Sequence, residues 1–263
     1  MSWLEAVLLG LVQGLTEFLP VSSSGHLVIA ETLLGHARGA EGILFEVAVH
    51  VGTLVAILAF YRRRIAGLLV GLAGRDRAAW RYTAKIVLAT TPAAAVGLAF
   101  EDAIEALFAS PAAVGMALLG TGAILLTTRA TLPRARDPEP SYAQAFWIGV
   151  AQALAIVPGI SRSGTTVAAA LALGVAPLAA TEFSFLMAIV AIAGAALLQL
   201  PEVGAASPEV ARACLVGGAV AGVSGLAALA LFVRLLRSRR FHHFALYAFA
   251  VGGGFLAWLV LSG

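Results

Sequence analysis

Two polar stretches interrupt a strongly apolar chain, and both carry residue types that can do chemistry. They are QGLTEFLPVSSSGH, residues 13 to 26, and PGISRSGTT, residues 158 to 166. Together they supply a carboxylate, an imidazole, a guanidinium and a group of hydroxyls. Ionisable side chains inside a membrane are costly and usually face a functional cavity. We therefore predict that both stretches line a functional site.

The second stretch is typical of an anion-binding site. Pro158 and Gly159 break a helix, and Ser161 begins the next one beside Arg162. A helix N-terminus attracts phosphate through its free backbone N–H groups, and a guanidinium can match two phosphate oxygens at once. The sequence therefore predicts a phosphate site at this helix start. The candidate contacts are Arg162 with Gly159, Ser161, Ser163, Gly164, Thr165 and Thr166.

The first stretch carries the candidate catalytic groups. Ser23 lies near His26, which is typical of a nucleophile with its base, and a water molecule in place of the serine is the alternative. Gln13 and Glu17 are four residues apart and share one helix face. A carboxylate beside a phosphate favours a divalent cation between them, and Mg²⁺ takes one or two carboxylates plus phosphate oxygens. Glu17 and Gln13 are thus candidate metal ligands, with interhelical hydrogen bonding as the alternative for Gln13. Further substrate contacts are expected at Ser22, Ser24 and Gly25.

The two stretches are copies of one frame. A shift of 139 positions places Gln13 on Gln152, whereas Ser23 meets Arg162. The frame is repeated, but the chemical groups are divided between the copies. This pattern predicts that two related segments build one site, with one repeat at about 1–130 and the other at about 140–263.

The composition predicts an integral membrane protein. The chain is 60% hydrophobic and 12% charged, whereas soluble domains have about 25% charged residues. A single membrane domain over residues 1–263 is expected. The net charge of +3 does not indicate nucleic acid binding, because the basic residues lie in short connections between apolar runs. Cys214 is the only cysteine, which excludes an internal disulfide.

The apolar pattern predicts an all-α protein with six transmembrane helices and two re-entrant helix hairpins. Each half of the two broken segments, about 3–34 and 142–174, is shorter than the ~20 residues needed to cross a bilayer. Basic residues concentrate in the first, third and fifth connections, the last including Arg239, whereas 201–208 has none. The positive-inside rule then places both termini outside the cytoplasm, and the second repeat is inverted relative to the first. The expected spans are about 44–60, 84–100, 111–128, 180–200, 210–233 and 244–262.

QGLTEFLPVSSSGH and PGISRSGTT resemble the two signature motifs of the undecaprenyl-diphosphate phosphatase family of the bacitracin-resistance type. The resemblance extends over the whole chain in length, span pattern and motif positions. It implies hydrolysis of undecaprenyl diphosphate to undecaprenyl phosphate and inorganic phosphate with Mg²⁺ or Ca²⁺, which recycles the lipid carrier for the cell wall in the bacterial cytoplasmic membrane. It also implies a site open to the extracytoplasmic side and a homodimer. The residues that match the family's functional positions are Gln13, Glu17, Ser23, His26, Ser161, Arg162 and Thr166.

A polyprenyl-phosphate lipid flippase or transporter is the alternative. Inverted repeats with broken helices near the midplane are a transporter design, and a fold does not determine function. The set of serine, histidine, glutamate and arginine is more than a binding site needs, which favours the enzyme. Glu46 and His50, four residues apart at the start of the first span, are further candidates for the mouth of the cavity.

Overall fold

The computed structural model describes residues 2–35, 40–198, 207–237 and 240–262, and no β-strand occurs among them. The predicted positions Arg239 and 201–206 lie outside the described residues. The helices are α1 Trp3–Phe18, α2 Ser23–Leu34, α3 Ala40–Phe60, α4 Arg62–Ala73, α5 Arg77–Ala99, α6 Glu101–Phe108, α7 Pro111–Thr131, α8 Tyr142–Leu154, α9 Arg162–Ala172, α10 Pro177–Leu198, α11 Pro208–Arg237 and α12 Phe244–Ser262.

Six helical segments of the described chain are long and apolar enough to cross a membrane, as predicted. Their composition and length make this a multi-pass membrane protein. The segments are Gly42–Phe60, Arg77–Ala99, Pro111–Arg134, Pro177–Leu198, Pro208–Leu236 and Phe241–Ser262.

The largest differences from the predicted boundaries lie at the connection after the first span. The second span begins at Arg77 rather than about residue 84, because the side chain of Asp76 accepts a hydrogen bond from the backbone N–H of Ala78 and caps the helix. Most of the basic connection before it is the helix α4, which has no buried residue. Hydropathy detects only the apolar part of a helix, so it does not predict these polar helical turns.

Two breaks in the helical pattern produce the polar stretches. Between α1 and α2, Ser22 has a positive φ of 70° and caps α2. Between α8 and α9, Gly159 has a φ of +97°, and a Cβ there would lie 2.7 Å from that of Ala117. Glycine alone adopts this conformation readily, so both its missing side chain and its backbone freedom are needed. We call α1 with α2 the first helix pair, and α8 with α9 the second helix pair.

Small residues allow the helices to pack backbone against backbone. Gly10 and Gly14 of α1 face α11, where an added Cβ on Gly10 would come within 2.6 Å of the carbonyl oxygen of Gly217. Gly149 of α8 lies against Ala89 of α5 in the same way. In lipid, where apolar surfaces gain little from meeting each other, such contacts are a main source of helix association. They fix each helix pair on a neighbouring span.

Aromatic side chains anchor the end of the first helix pair in the core. Phe18, the last residue of α1, is fully buried and packs edge-on against Phe185 of α10 at 5.6 Å between ring centroids. Phe185 in turn packs against Phe232 of α11. This packing holds the residues next to Phe18, including Glu17, in one position.

Candidate active site

The two helix breaks lie in contact with each other. A Cβ added to Gly25 would be 3.0 Å from the Cα of Gly159, and the hydroxyl of Ser163 donates to the carbonyl oxygen of Leu19 at 3.3 Å. The N-termini of α2 and α9 therefore meet inside the molecule. Side chains separated by about 140 residues in the sequence are brought together here.

The carboxylate of Glu17 is the centre of this contact. Its Oε1 accepts a hydrogen bond from Nη2 of Arg162, and this contact is a largely buried ion pair between the two helix pairs. Its Oε2 accepts hydrogen bonds from Nε2 of Gln13 at 3.0 Å and from Oγ of Ser23 at 2.6 Å. Nε2 of His50, in α3, lies 3.8 Å from the same oxygen. Four of the polar side chains of the region thus converge on one carboxylate.

The ring nitrogens of His26 contact groups other than Ser23. Its Nδ1 lies 2.7 Å from the carbonyl oxygen of Ser22, which can only accept, so Nδ1 carries the proton. Its Nε2 then accepts a hydrogen bond from the hydroxyl of Tyr247 at 2.9 Å when the ring is neutral. The expected pairing of Ser23 with His26 is therefore not formed, since both ring nitrogens are occupied. Ser23 donates to Glu17 instead.

Several predicted substrate-binding residues shape the backbone of the site. The hydroxyl of Ser22 accepts from the backbone N–H of Gly25 at 3.3 Å, and that of Ser161 accepts from Gly164 at 3.1 Å. Both serines are therefore N-caps. The neighbouring hydroxyls at the two helix starts, each 3.3 Å from the capping hydroxyl, belong to Ser24 and Ser163.

The remaining residues of the second stretch differ in whether their polar atoms have a hydrogen-bond partner. The hydroxyl of Thr166 lies 2.6 Å from that of Ser184 and faces the core. The hydroxyl of Thr121 in α7 donates to the carbonyl oxygen of Gly159 at 2.7 Å. The same hydroxyl accepts a hydrogen bond from the backbone N–H of Ser161 at 2.9 Å. The hydroxyl of Thr165 is buried without a partner.

Unpartnered polar atoms concentrate at the two helix pairs. They include Nη1 of Arg162, Oε1 of Gln13, Oγ1 of Thr165 and both amide atoms of Gln152, all buried. Leaving such an atom without a partner costs about 1–3 kcal/mol, and buried polar groups nearly always have a protein, water or ligand partner. These atoms therefore indicate a place for water or a polar ligand.

Few oxygen atoms of the site could coordinate a metal ion, so the site suits only a cation that brings most of its own ligands. Oε1 of Gln13 is free, and the carboxylate of Glu17 is within hydrogen-bond distance of the same side chain. Nδ1 of His50 is bound to the carbonyl oxygen of Glu46 at 2.8 Å. No group of three or more His, Cys, Asp or Glu in the described part of the chain could hold a metal ion. Mg²⁺ fits such an arrangement, because it keeps several waters and phosphate oxygens as ligands.

Three residues around the site were missed or undervalued in the sequence. Thr121 and Tyr247 are isolated polar groups in otherwise apolar spans, and this isolation is the only signal that could have indicated them. His50 was assigned to the mouth of the cavity, whereas the structure brings its ring to Glu17. Only the structure connects these spans to the two helix pairs.

Comparison with known proteins gives matches over nearly the whole chain. The family model described as bacitracin resistance protein BacA matches residues 6–254. The undecaprenyl-diphosphatase of Rubrobacter xylanophilus is 42% identical over 98% of both chains. That of Desulfatibacillum aliphaticivorans is 40% identical over 96% of this chain and 97% of its own, and that of Hahella chejuensis is 38% identical over the full length of both. Because the family model and these relatives cover almost every residue, the chain belongs to the bacitracin resistance protein BacA family.

Proposed function

We propose that this membrane protein hydrolyses undecaprenyl diphosphate to undecaprenyl phosphate and inorganic phosphate. The observation that carries the proposal is the buried contact of Glu17, Ser23 and Arg162. It joins a nucleophile, a proton acceptor and a phosphate-binding cation in a chain similar to undecaprenyl-diphosphatases over nearly its full length. The product is the lipid carrier that cell-wall synthesis uses again, and the enzyme works in the bacterial cytoplasmic membrane.

The diphosphate binds at the N-termini of α2 and α9. Both helix ends direct backbone N–H groups into the region, and Arg162 has one nitrogen without a partner. Preorganised donors of this kind stabilise the charge that develops on the transferred phosphoryl oxygens. Thr165 supplies a further free hydroxyl. The helix ends and Arg162 hold the terminal phosphate in line for attack.

Ser23 attacks the terminal phosphorus, and Glu17 accepts its proton. The hydroxyl of Ser23 already donates to Oε2 of Glu17 at 2.6 Å, so no rearrangement is needed for the transfer. The bond to undecaprenyl phosphate then breaks, and water hydrolyses the phosphoserine. Direct attack by water with His26 as base is the alternative, and it requires that the ring release Tyr247.

Glu17 and Gln13 are the residues that would hold Mg²⁺ or Ca²⁺. The free Oε1 of Gln13 and the adjacent carboxylate are the oxygens that support this assignment. A bound cation supplies positive charge that offsets the negative charge of the diphosphate. Arg162 offsets the charge of Glu17 in the ligand-free arrangement.

The two helix pairs are re-entrant hairpins in an inverted repeat. With 16 residues in α1 and 13 in α8, each first helix is too short to cross a bilayer. The shift of 139 positions that superposes the two motifs also carries α1 onto α8, and α5 onto most of α11. α1 packs on α11 while α8 packs on α5, so equivalent contacts recur with the repeats exchanged. This exchange of contacts supports an inverted repeat, and the basic residues of the first, third and fifth connections support termini outside the cytoplasm.

The decisive experiment measures phosphate release from undecaprenyl diphosphate by the purified protein in detergent. We expect release that depends on Mg²⁺ or Ca²⁺, stops with chelator, and is lost in Ser23→Ala. Ser262→Ala is the matched control, because Ser262 is an exposed residue at the end of α12 and its hydroxyl donates to the carbonyl oxygen of Trp258. A folded wild-type protein that releases no phosphate would overturn the enzyme and leave the flippase. Cross-linking in detergent tests the homodimer that the family resemblance implies.

A further inference from the structure

An apolar groove of about 410 Å³ begins at His26 and opens to the outer surface of the helix bundle. One wall is α1, with Leu8, Leu11 and Leu15. The opposite wall is the start of α12, with Phe244 and Tyr247. The lining also includes Leu19, Val21 and His26, which lie at the break between α1 and α2 and at the start of α2.

The leucine wall is exposed to the membrane. Leu8, Leu11 and Leu15 are 47%, 38% and 44% exposed, although they lie in a strongly apolar helix. Their spacing of three and four residues places them on one stripe of α1. In a bilayer this stripe contacts hydrocarbon, so a lipid chain can enter the groove from the side without crossing a polar surface.

The inner end of the groove adjoins the phosphate site. His26 and Ser23 are three residues apart on α2 and therefore on one face of that helix, and Ser23 contacts Glu17. The ring of Tyr247 stacks on that of His26 at 5.7 Å between centroids and 9° between planes. Its hydroxyl meets Nε2 of His26, while its ring forms part of the apolar wall. Tyr247 thus stands at the border between polar and apolar surroundings, as amphipathic aromatic residues commonly do.

We propose that this groove binds the part of the prenyl chain nearest the diphosphate, with Tyr247 at the junction of chain and phosphate. The inference rests on the proposed function and adds the location of the lipid. In a prenyl diphosphate the apolar chain is attached directly to the charged group. The chain must therefore leave the phosphate site along an apolar surface within about one helical turn of Ser23. The groove is continuous with that site through His26 and meets this requirement.

Photo-cross-linking tests the location without any need for turnover. The probe is a farnesyl diphosphate analogue that carries a diazirine on its chain, and labelled peptides are mapped by mass spectrometry. We expect label within residues 8–21 and at 244–247, and we expect undecaprenyl diphosphate to displace the probe. Label confined to other helices would overturn the proposal. Displacement that is equally efficient with phosphatidylglycerol would show a general site for membrane lipids and would overturn it too.

Kinetics with a filled groove provide the second measurement. Leu11→Trp should raise the KM for undecaprenyl diphosphate about tenfold, in the range that changes of side-chain volume in an apolar pocket produce, and leave kcat within about twofold. Leu226→Trp is the matched control, since Leu226 of α11 is 41% exposed and lies outside the groove. An active wild type with unchanged KM in folded Leu11→Trp would refute the groove alone. An inactive wild type would refute the proposed function, and the label would still decide the groove.

Discussion

Removing the charges of Glu17 and Arg162 singly and together should separate what the ion pair does for stability from what it does for catalysis. The two side chains are only 5% and 16% exposed. Breaking a buried pair by neutralising one partner costs about 3–5 kcal/mol, because the other charge is left without compensation. Neutralising both partners with residues of similar volume is often close to neutral.

The expected stabilities follow from these contacts. Glu17→Gln keeps the shape of the side chain but leaves the guanidinium of Arg162 without its carboxylate. Arg162→Met leaves the carboxylate with the hydrogen bonds from Gln13 and Ser23 and the more distant ring of His50. We expect either variant to lose about 3 kcal/mol, which is roughly 6–12 °C in Tm on the scale of soluble domains. The double variant should lie within about 1 kcal/mol of wild type.

The expected activities follow a different pattern. Each single variant should lose about 10²–10³ in kcat, the usual effect of removing one preorganised charge contact to a transition state. The double variant should regain stability and stay as inactive as either single variant. The required data are phosphate release and thermal unfolding of all four proteins in one detergent.

The control is the pair of Arg64 with Glu182, which lie 2.8 Å apart but are 42% and 31% exposed. Glu182→Gln should change stability by about 0–1 kcal/mol, the range for exposed pairs, and leave phosphate release unchanged. A double variant of Glu17 and Arg162 that regains activity would refute the catalytic role. Single variants with unchanged stability would refute the energetic argument.

Three other predictions test neighbouring contacts. Ser23→Ala should lower kcat about 10³-fold and abolish the phosphoenzyme that is trapped with labelled substrate. If oxygen from labelled water enters the released phosphate directly and no such intermediate forms, water is favoured as the nucleophile. Tyr247→Phe keeps the stacked ring but leaves Nε2 of His26 without its partner, so we expect unchanged kcat and KM if Ser23 attacks with Glu17 as the proton acceptor; a higher kcat with an altered pH profile would favour direct attack by water with His26 as base. Gly52→Ala should lower stability by about 1–3 kcal/mol, because the added methyl meets the backbone of Gly218 in α11, while the KM of the folded fraction stays the same.

The spans could be predicted because burial in lipid demands long apolar helices, and their number follows from the apolar runs along the chain. Their ends could not. The segment from Arg77 to about residue 84 is helical, but its polar residues give no hydropathy signal. Only the cap at Asp76 marks the start of this helix. The helix α4 could not be predicted for a similar reason, since three consecutive arginines at its beginning are typical of a connection between spans.

Proximity along the sequence was a poor guide to hydrogen bonding in the site. Ser23 and His26 are close in the chain, but the carbonyl of Ser22 and the hydroxyl of Tyr247 take both ring nitrogens. The partner of Ser23 is Glu17, on the other side of the helix break. The internal repeat was the better guide, because it related the two stretches as whole frames and so predicted that they meet.

The division of charge between the two helix pairs makes the site depend on the packing of both. Glu17 lies in the first helix pair and Arg162 in the second, so either pair alone would bury an uncompensated charge. Their ion pair stabilises the ligand-free arrangement, and in the proposed function a diphosphate would compete with Glu17 for Arg162. Because Nη1 of Arg162 has no partner, the competing phosphate needs to displace only the contact made by Nη2. In the proposed function the same guanidinium would join the two helix pairs and bind the substrate, and part of its contact with Glu17 would be lost when the substrate binds.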